Sequence, residues 1–185
     1  GLTFPNLEES VSMDGEVELL QKLQTKGCIL LLPTHSSHMD SILIGWALHR
    51  LGLPPFLYGA GLNLFSNPIM GFFMGNLGAY RVDRKKRNDL YKSVLKAYAT
   101  YAVELGYNNL FFPGGTRSRS GAVEQHLKLG LAGTGVEAYI RRLLAGRVRP
   151  QVYVVPCTLS YPLVLESETL VDDFLKETGK ARYII

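Results

Sequence analysis

Gly27-Cys28-Ile29-Leu30-Leu31-Leu32-Pro33-Thr34-His35-Ser36-Ser37-His38-Met39-Asp40 is the stretch from which the architecture of this chain can be read. Its first six residues carry no charge and are stopped by a proline, the pattern of a short buried strand. Residues 41–51 then carry apolar side chains almost all round and end at Gly52 and Pro54, which predicts a buried helix. A buried strand running straight into a buried helix is the opening of an α/β unit.

Working outward, residues 16–23 place Val17, Leu20 and Leu23 on one side of a short amphipathic helix. Tyr91, Val94, Leu95, Tyr98, Ala102 and Leu105 recur at helical spacing over 88–105, and Gly106 closes that helix. Residues 109–112 read as a second strand ended by Pro113-Gly114-Gly115, and 151–155 as a third ended by Pro156. Helices are predicted over 136–144 and 168–177. Strands alternating with helices give an α/β class: a central sheet, mostly parallel or mixed, flanked by helices. Chemistry in such sheets gathers where strands end and loops begin.

The chain has 185 residues, enough for one domain with a substantial core, and shows no internal repeat or low-complexity linker. Its start at Gly1 and its apolar end, Arg182-Tyr183-Ile184-Ile185, suggest a single domain (1–185) excised from a longer protein. No signal segment encodes a compartment. Cys28 and Cys157 lie in apolar, strand-like runs without metal-ligand spacing and read as buried thiols. Residues 51–80 contain no charge at all. Pro54, Pro55, Pro68, Asn63, Asn67 and Asn76 argue against a membrane-spanning helix there. A buried segment, or a surface dipping into a membrane interface, fits better.

Net charge is +4, unevenly spread: residues 81–149 hold fourteen of the twenty Lys and Arg against five acids. That suits an anionic partner such as phosphate or an acidic lipid surface, or else a solvated face. No nucleic-acid-binding pattern accompanies it.

His35 falls just past the first strand and Asp40 at the start of the helix. Across a strand-to-helix turn the two side chains can converge, the carboxylate holding one ring nitrogen while the other is left to take a proton. Such a couple lacks a protein nucleophile, so a substrate hydroxyl would fill that role. Asp40 equally suits a helix cap, with His35 a hydrogen-bonded loop histidine and His38 a competing partner or base. Ser36 and Ser37 raise a serine-hydrolase reading, but the chain has no GxSxG elbow.

Two further segments carry charge or glycine. Gly78-Ala79-Tyr80-Arg81-Val82-Asp83-Arg84-Lys85-Lys86-Arg87 puts five cations immediately after the uncharged stretch. Phe112-Pro113-Gly114-Gly115-Thr116-Arg117-Ser118-Arg119-Ser120-Gly121 follows the second strand. Its glycines allow close backbone approach and its arginines a bidentate grip on phosphate, although such a loop also serves as a plain turn. It is neither a Walker loop nor a dinucleotide fingerprint.

Taken in order, THSSHMD, GAYRVDR, FPGGTRSR and VVPCTLSYP resemble the four blocks of the glycerol-phosphate acyltransferase superfamily, over about residues 28–175. PTHSSHMDSILI, the double arginine of RSRSG, and the tail with Val164 and Glu166 are more similar to its glycerol-3-phosphate branch than to the lysophosphatidate branch. The resemblance implies that His35 is the general base and Asp40 its orienting partner. It implies that Arg84, Arg117 and Arg119, with Ser118, bind the acceptor's phosphate. Backbone N–H groups of Gly114 or Gly115 would stabilise an oxyanion, and Pro156 would serve acyl-donor binding or structural support.

The implied reaction is acyl transfer from acyl-CoA or an acyl carrier protein to the sn-1 hydroxyl of glycerol 3-phosphate, with no metal and no cofactor. Lysophosphatidate or dihydroxyacetone phosphate are alternative acceptors, and a non-catalytic lipid- or phosphate-binding module is an alternative of another class. The implied setting is an anionic membrane surface, reached peripherally or through segments outside this chain, with no nucleic acid involved. Two departures bear on the acceptor: Gly114 stands where the third block usually has glutamate, and Arg81 where the second usually has an apolar aromatic.

Overall fold

The computed structural model describes residues 10–37, 39–66, 68–83, 85–115, 117–118, 127, 129–162, 171 and 175. Among them, in chain order, are α1 (Val17–Lys26), β1 (Cys28–Pro33), α2 (Asp40–Arg50), β2 (Tyr58–Gly61), a 3₁₀ turn (Leu62–Phe65) and α3 (Pro68–Asn76). Then follow β3 (Ala79–Val82), α4 (Asp89–Glu104), β4 (Asn109–Leu110), α5 (Gly133–Leu144) and β5 (Val152–Cys157).

Every strand pairing among the described residues is parallel. β1 lies between β4 and β5, and β2 pairs with β3. A single parallel bridge between Leu57 and Asn109 joins the two pieces, so the strands run β3-β2-β4-β1-β5. The mixed alternative left open by the sequence is therefore absent among the described residues.

The alternation of β1 sorts the core into two faces. Ile29 and Leu31 pack with Ile44 and Leu48 of α2, Tyr58 and Ala60 of β2, Met74 of α3 and Leu110, with Leu20 and Leu23 of α1 at the margin. Cys28 meets Val103 of α4 and Ala138 of α5, while Leu30 meets Ala99 and Phe111. Helices thus cover both sides of the sheet, as a buried parallel sheet requires.

Local signals explain most element ends. Asn88 caps α4 by accepting the Tyr91 N–H at 2.7 Å. Three readings need correction. The uncharged stretch, given no elements in the sequence reading, holds β2, α3 and the start of β3. The second strand stops at Leu110, and its ladder ends with the Phe111 N–H donated to Leu31 before the Pro113 turn.

β5 does not stop at Pro156 but runs through it to Cys157. Cys28 N–H bonds to Gln151 and Thr34 N–H to Cys157, so odd-numbered residues of β5 face β1. The N–H that Pro156 lacks falls on the outer edge, where a proline is tolerated. The helix expected over 168–177 lies outside the described residues except for Val171 and Leu175, both helical.

Candidate active site

Three neighbouring parallel strands end side by side, and each contributes to one cluster. β1 delivers Thr34 and His35, the loop after β4 delivers Phe112 and Ser118, and the loop after β5 delivers Tyr161. The turn from β1 into α2 is short enough that Asp40, the first residue of α2, folds back onto His35.

Asp40 is fully buried, at 0% exposure. One oxygen, Oδ2, accepts from His35 Nδ1 at 2.7 Å and from the backbone N–H groups of Ser36 at 2.7 Å and Ser37 at 3.0 Å. The other, Oδ1, accepts from the Tyr161 hydroxyl at 2.5 Å. Burial alone would push this carboxyl up; the bonds from His35, Tyr161, Ser37 and Ser36 outweigh it and hold the group below its ordinary range. An ionised carboxylate only accepts, so Nδ1 of His35 carries a proton, and in the neutral imidazole the lone pair is then on Nε2. The His35 side chain retains 16% exposure, enough for a ligand to reach it. The helix-cap reading of Asp40 is not met: Met39 holds the cap position, Asp40 is the first residue of α2, and its Oδ2 holds the N–H groups of the preceding turn together with the imidazole.

His35 is held from two more sides. Phe112 stacks on its ring, centroids 4.1 Å apart and planes 25° from parallel. Ser118 donates its backbone N–H to the His35 carbonyl at 2.6 Å. The glycine loop therefore wraps the histidine, and Arg117 sits one residue from that bond. Gly115 adopts φ +72° and donates its N–H to Phe112 at 2.9 Å, closing a turn over Pro113-Gly114. That corrects one expectation: the Gly115 N–H is committed to the turn, so of the two glycines only Gly114 keeps an N–H without a bond to a described residue.

Two other nucleophiles near the pair are accounted for. Ser37 is buried, and its Oγ accepts the Met39 N–H at 3.0 Å. Burial, and then the Asp40 charge, push the Cys157 thiol up, so it stays protonated. Pro156 lies in β5 opposite Leu32, exposed on the outer edge. Arg84, Arg119 and His38 lie outside the described residues. Among the described residues no group of three His, Cys, Asp or Glu side chains is placed to hold a metal ion, and no helix is long and apolar enough to cross a membrane. Sequence reasoning missed Tyr161 and Phe112 as members of the site. Their signal was positional: each lies just past a strand that flanks β1.

Comparison with known proteins bears on this cluster. A family model described as Acyltransferase matches residues 15–160. A glycerol-3-phosphate acyltransferase of Xylella fastidiosa (strain M23) is 33% identical over 159 residues, 84% of this chain and 17% of that protein. One from Pseudomonas aeruginosa (strain UCBPP-PA14) is 31% identical over 179 residues, 96% of this chain and 20% of that protein. The chain thus spans about a fifth of the length of these relatives. The crystal structure of the 1-acyl-sn-glycerophosphate (LPA) acyltransferase PlsC from Thermotoga maritima aligns with a TM-score of 0.45 at 21% identity, over 86% of this chain and 69% of that one. The matched span contains Thr34, His35, Asp40, Phe112 and Ser118 and ends one residue before Tyr161, and on that match this chain belongs to the acyltransferase family.

Proposed function

We propose that the chain catalyses transfer of an acyl group from acyl-CoA or an acyl carrier protein to the sn-1 hydroxyl of glycerol 3-phosphate. The observation that carries this reading is the buried Asp40 carboxylate. It fixes the His35 tautomer with Nε2 as a base, while the nearby Ser37 and Cys157 are engaged or protonated. A histidine base beside two such groups suits attack by a bound hydroxyl. The names of the relatives supply the acceptor.

His35 Nε2 takes the proton of the acceptor hydroxyl as its oxygen bonds to the thioester carbonyl carbon. The resulting imidazolium is stabilised by Asp40 across the 2.7 Å contact. The Gly114 N–H is the donor assigned to the oxyanion, and loss of one such donor costs about 3 kcal/mol. Collapse expels the thiolate, which recovers the proton from Nε2, so the cycle closes without a metal or cofactor. Arg117, Ser118, Arg84 and Arg119 hold the phosphate, and Pro156 supports the strand behind the acyl-donor side.

Membrane association belongs to the same proposal. Phe72 and Phe73 of α3 are 67% and 48% exposed, and Leu62 of the preceding 3₁₀ turn is exposed as well. The guanidinium of Arg81 lies 5.1 Å from the centre of the Phe65 ring, and Lys85, Lys86 and Arg87 are exposed just beyond. Exposed apolar side chains followed in the sequence by a run of exposed cations suit an anionic bilayer.

The test is transfer of a radiolabelled acyl group from acyl-CoA to glycerol 3-phosphate, lysophosphatidate and dihydroxyacetone phosphate in parallel. Product with glycerol 3-phosphate supports the reading. Product only with another acceptor overturns the substrate, and no product with any overturns the reaction.

A further inference from the structure

The donors around Asp40 divide unevenly. Oδ2 takes three, all from the turn that carries His35, whereas Oδ1 takes one, the Tyr161 hydroxyl. That hydroxyl comes from 121 residues further along the chain. A hydroxyl that donates to an ionised carboxylate makes a charge-assisted bond, stronger than one between neutral groups. The carboxylate is fully buried, so water cannot substitute readily for a lost donor. The Tyr161 loop is also fixed at its root, because Leu159 is bonded to the Thr34 side chain next to His35.

The geometry points to Tyr161 as a positioning residue for the His35–Asp40 couple: its hydroxyl sets the rotation of the Asp40 carboxylate and draws negative charge from the oxygen that faces the imidazole. It acts through Asp40. Without the hydroxyl, Oδ1 is left unpaired in a dry site, and the carboxylate can turn away from Nδ1. The titratable groups facing the carboxylate are His35 from the end of β1, Tyr161 from the loop after β5 and Cys157 from β5 itself. Of these, His35 and Tyr161 are the ones that lower the Asp40 pKa, so removing the Tyr161 hydroxyl moves protonation of the couple to higher pH.

This inference rests on the proposed acyl transfer for its kinetic readout, and a second readout stands apart from it. In the full chain, Tyr161→Phe is expected to lower kcat about tenfold, the effect of one hydrogen bond to a charged group, with little change in either KM. The acid limb of its kcat/KM profile should move to higher pH. In protein carrying ¹⁵N-labelled imidazole, the Nδ1–H resonance of His35 should shift between the parent and Tyr161→Phe.

An unchanged pH profile together with an unchanged Nδ1–H resonance overturns the role of Tyr161, even if kcat falls. A parent chain that transfers no acyl group sinks the proposed function, while the resonance still decides Tyr161. Should Tyr161→Phe fail to fold, a difluorotyrosine at position 161 keeps the ring and makes the hydroxyl a stronger donor. It must then move the acid limb, or the resonance, in the opposite direction, and no displacement overturns the inference.

Discussion

The Thr34 hydroxyl is bonded twice to Leu159: it accepts the Leu159 N–H at 2.8 Å and donates to the Leu159 carbonyl at 3.3 Å. One side chain thereby clasps the loop after β1 to the loop after β5, with His35 on one side and Tyr161 two residues beyond on the other. Thr34→Val removes both bonds at nearly constant shape. It should cost about 0.5–1.5 kcal/mol in a urea titration and lower kcat, whereas Thr34→Ser restores both. A valine variant with parental kcat would show that the clasp does not serve the site.

Asp40 should leave a mark on the pH dependence of stability. Its carboxyl titrates below the ordinary range in the folded chain, so the unfolded chain binds its proton first as pH falls. The stability it contributes is complete above the ordinary carboxylate value, near pH 4, and is lost as pH falls through the depressed folded value. Asp40→Asn should be about 1–3 kcal/mol less stable at pH 7, since an amide cannot satisfy every donor aimed at it. Urea midpoints measured from pH 7 to pH 2.5 should show the gap closing only in the acid range. A constant gap would contradict the ionised assignment.

His35 and Arg117 should fail in different ways. His35→Ala should reduce kcat by about 10²-fold or more while circular dichroism shows an intact fold. Arg117→Ala should chiefly raise the KM for the phosphate-bearing acceptor and leave the KM for acyl-CoA alone, because a phosphate grip is made in ground and transition states alike. A change confined to the acyl donor would reassign the loop.

Gly78 is a purely structural prediction. It opens β3 at φ +87°, and a Cβ there would lie 2.5 Å from the carbonyl oxygen of Phe56. Its own carbonyl accepts the Tyr58 N–H at 3.1 Å. Gly78→Ala should destabilise by roughly 2–4 kcal/mol, strain and overlap together. Thermal melts would register the loss.

The turn from β1 into α2 was legible because each signal in it is local: a charge-free run, a proline, then a helix with its acid at the start. α4 was legible for the same reason, from its helical spacing and the glycine that closes it. The segment 58–82 was not. Tyr58-Gly59-Ala60-Gly61 has no β-branched residue, and α3 carries two glycines, so neither period nor propensity announces them. Packing of Tyr58, Ala60 and Met74 against Ile44 and Leu48 of α2 decides those elements.

In the site, the close pairing of His35 and Asp40 is geometry that sequence spacing anticipated. The glycine loop was recognised as a unit, yet not which of its amides is spent on the turn. Tyr161 was invisible because its partner is 121 residues away. Only the parallel register, which sets Pro33 opposite Cys157, brings the two loops level.

Asn108 shows how little strand the centre of this sheet needs. β4 has two residues, and the ladder beside it is completed by a side chain: Asn108 Oδ1 accepts the Ile29 N–H at 2.8 Å, its own backbone carbonyl accepts the Leu57 N–H at 2.9 Å, and its Nδ2 donates to Gln24 of α1. The amide imitates a peptide group and does the work of a missing residue of strand. Position 108 is therefore chemically monogamous: a carboxylate there cannot donate to Gln24, and an aliphatic side chain orphans the Ile29 amide. The strand that delivers Phe112 and the glycine loop to His35 is in part a strand made of one asparagine.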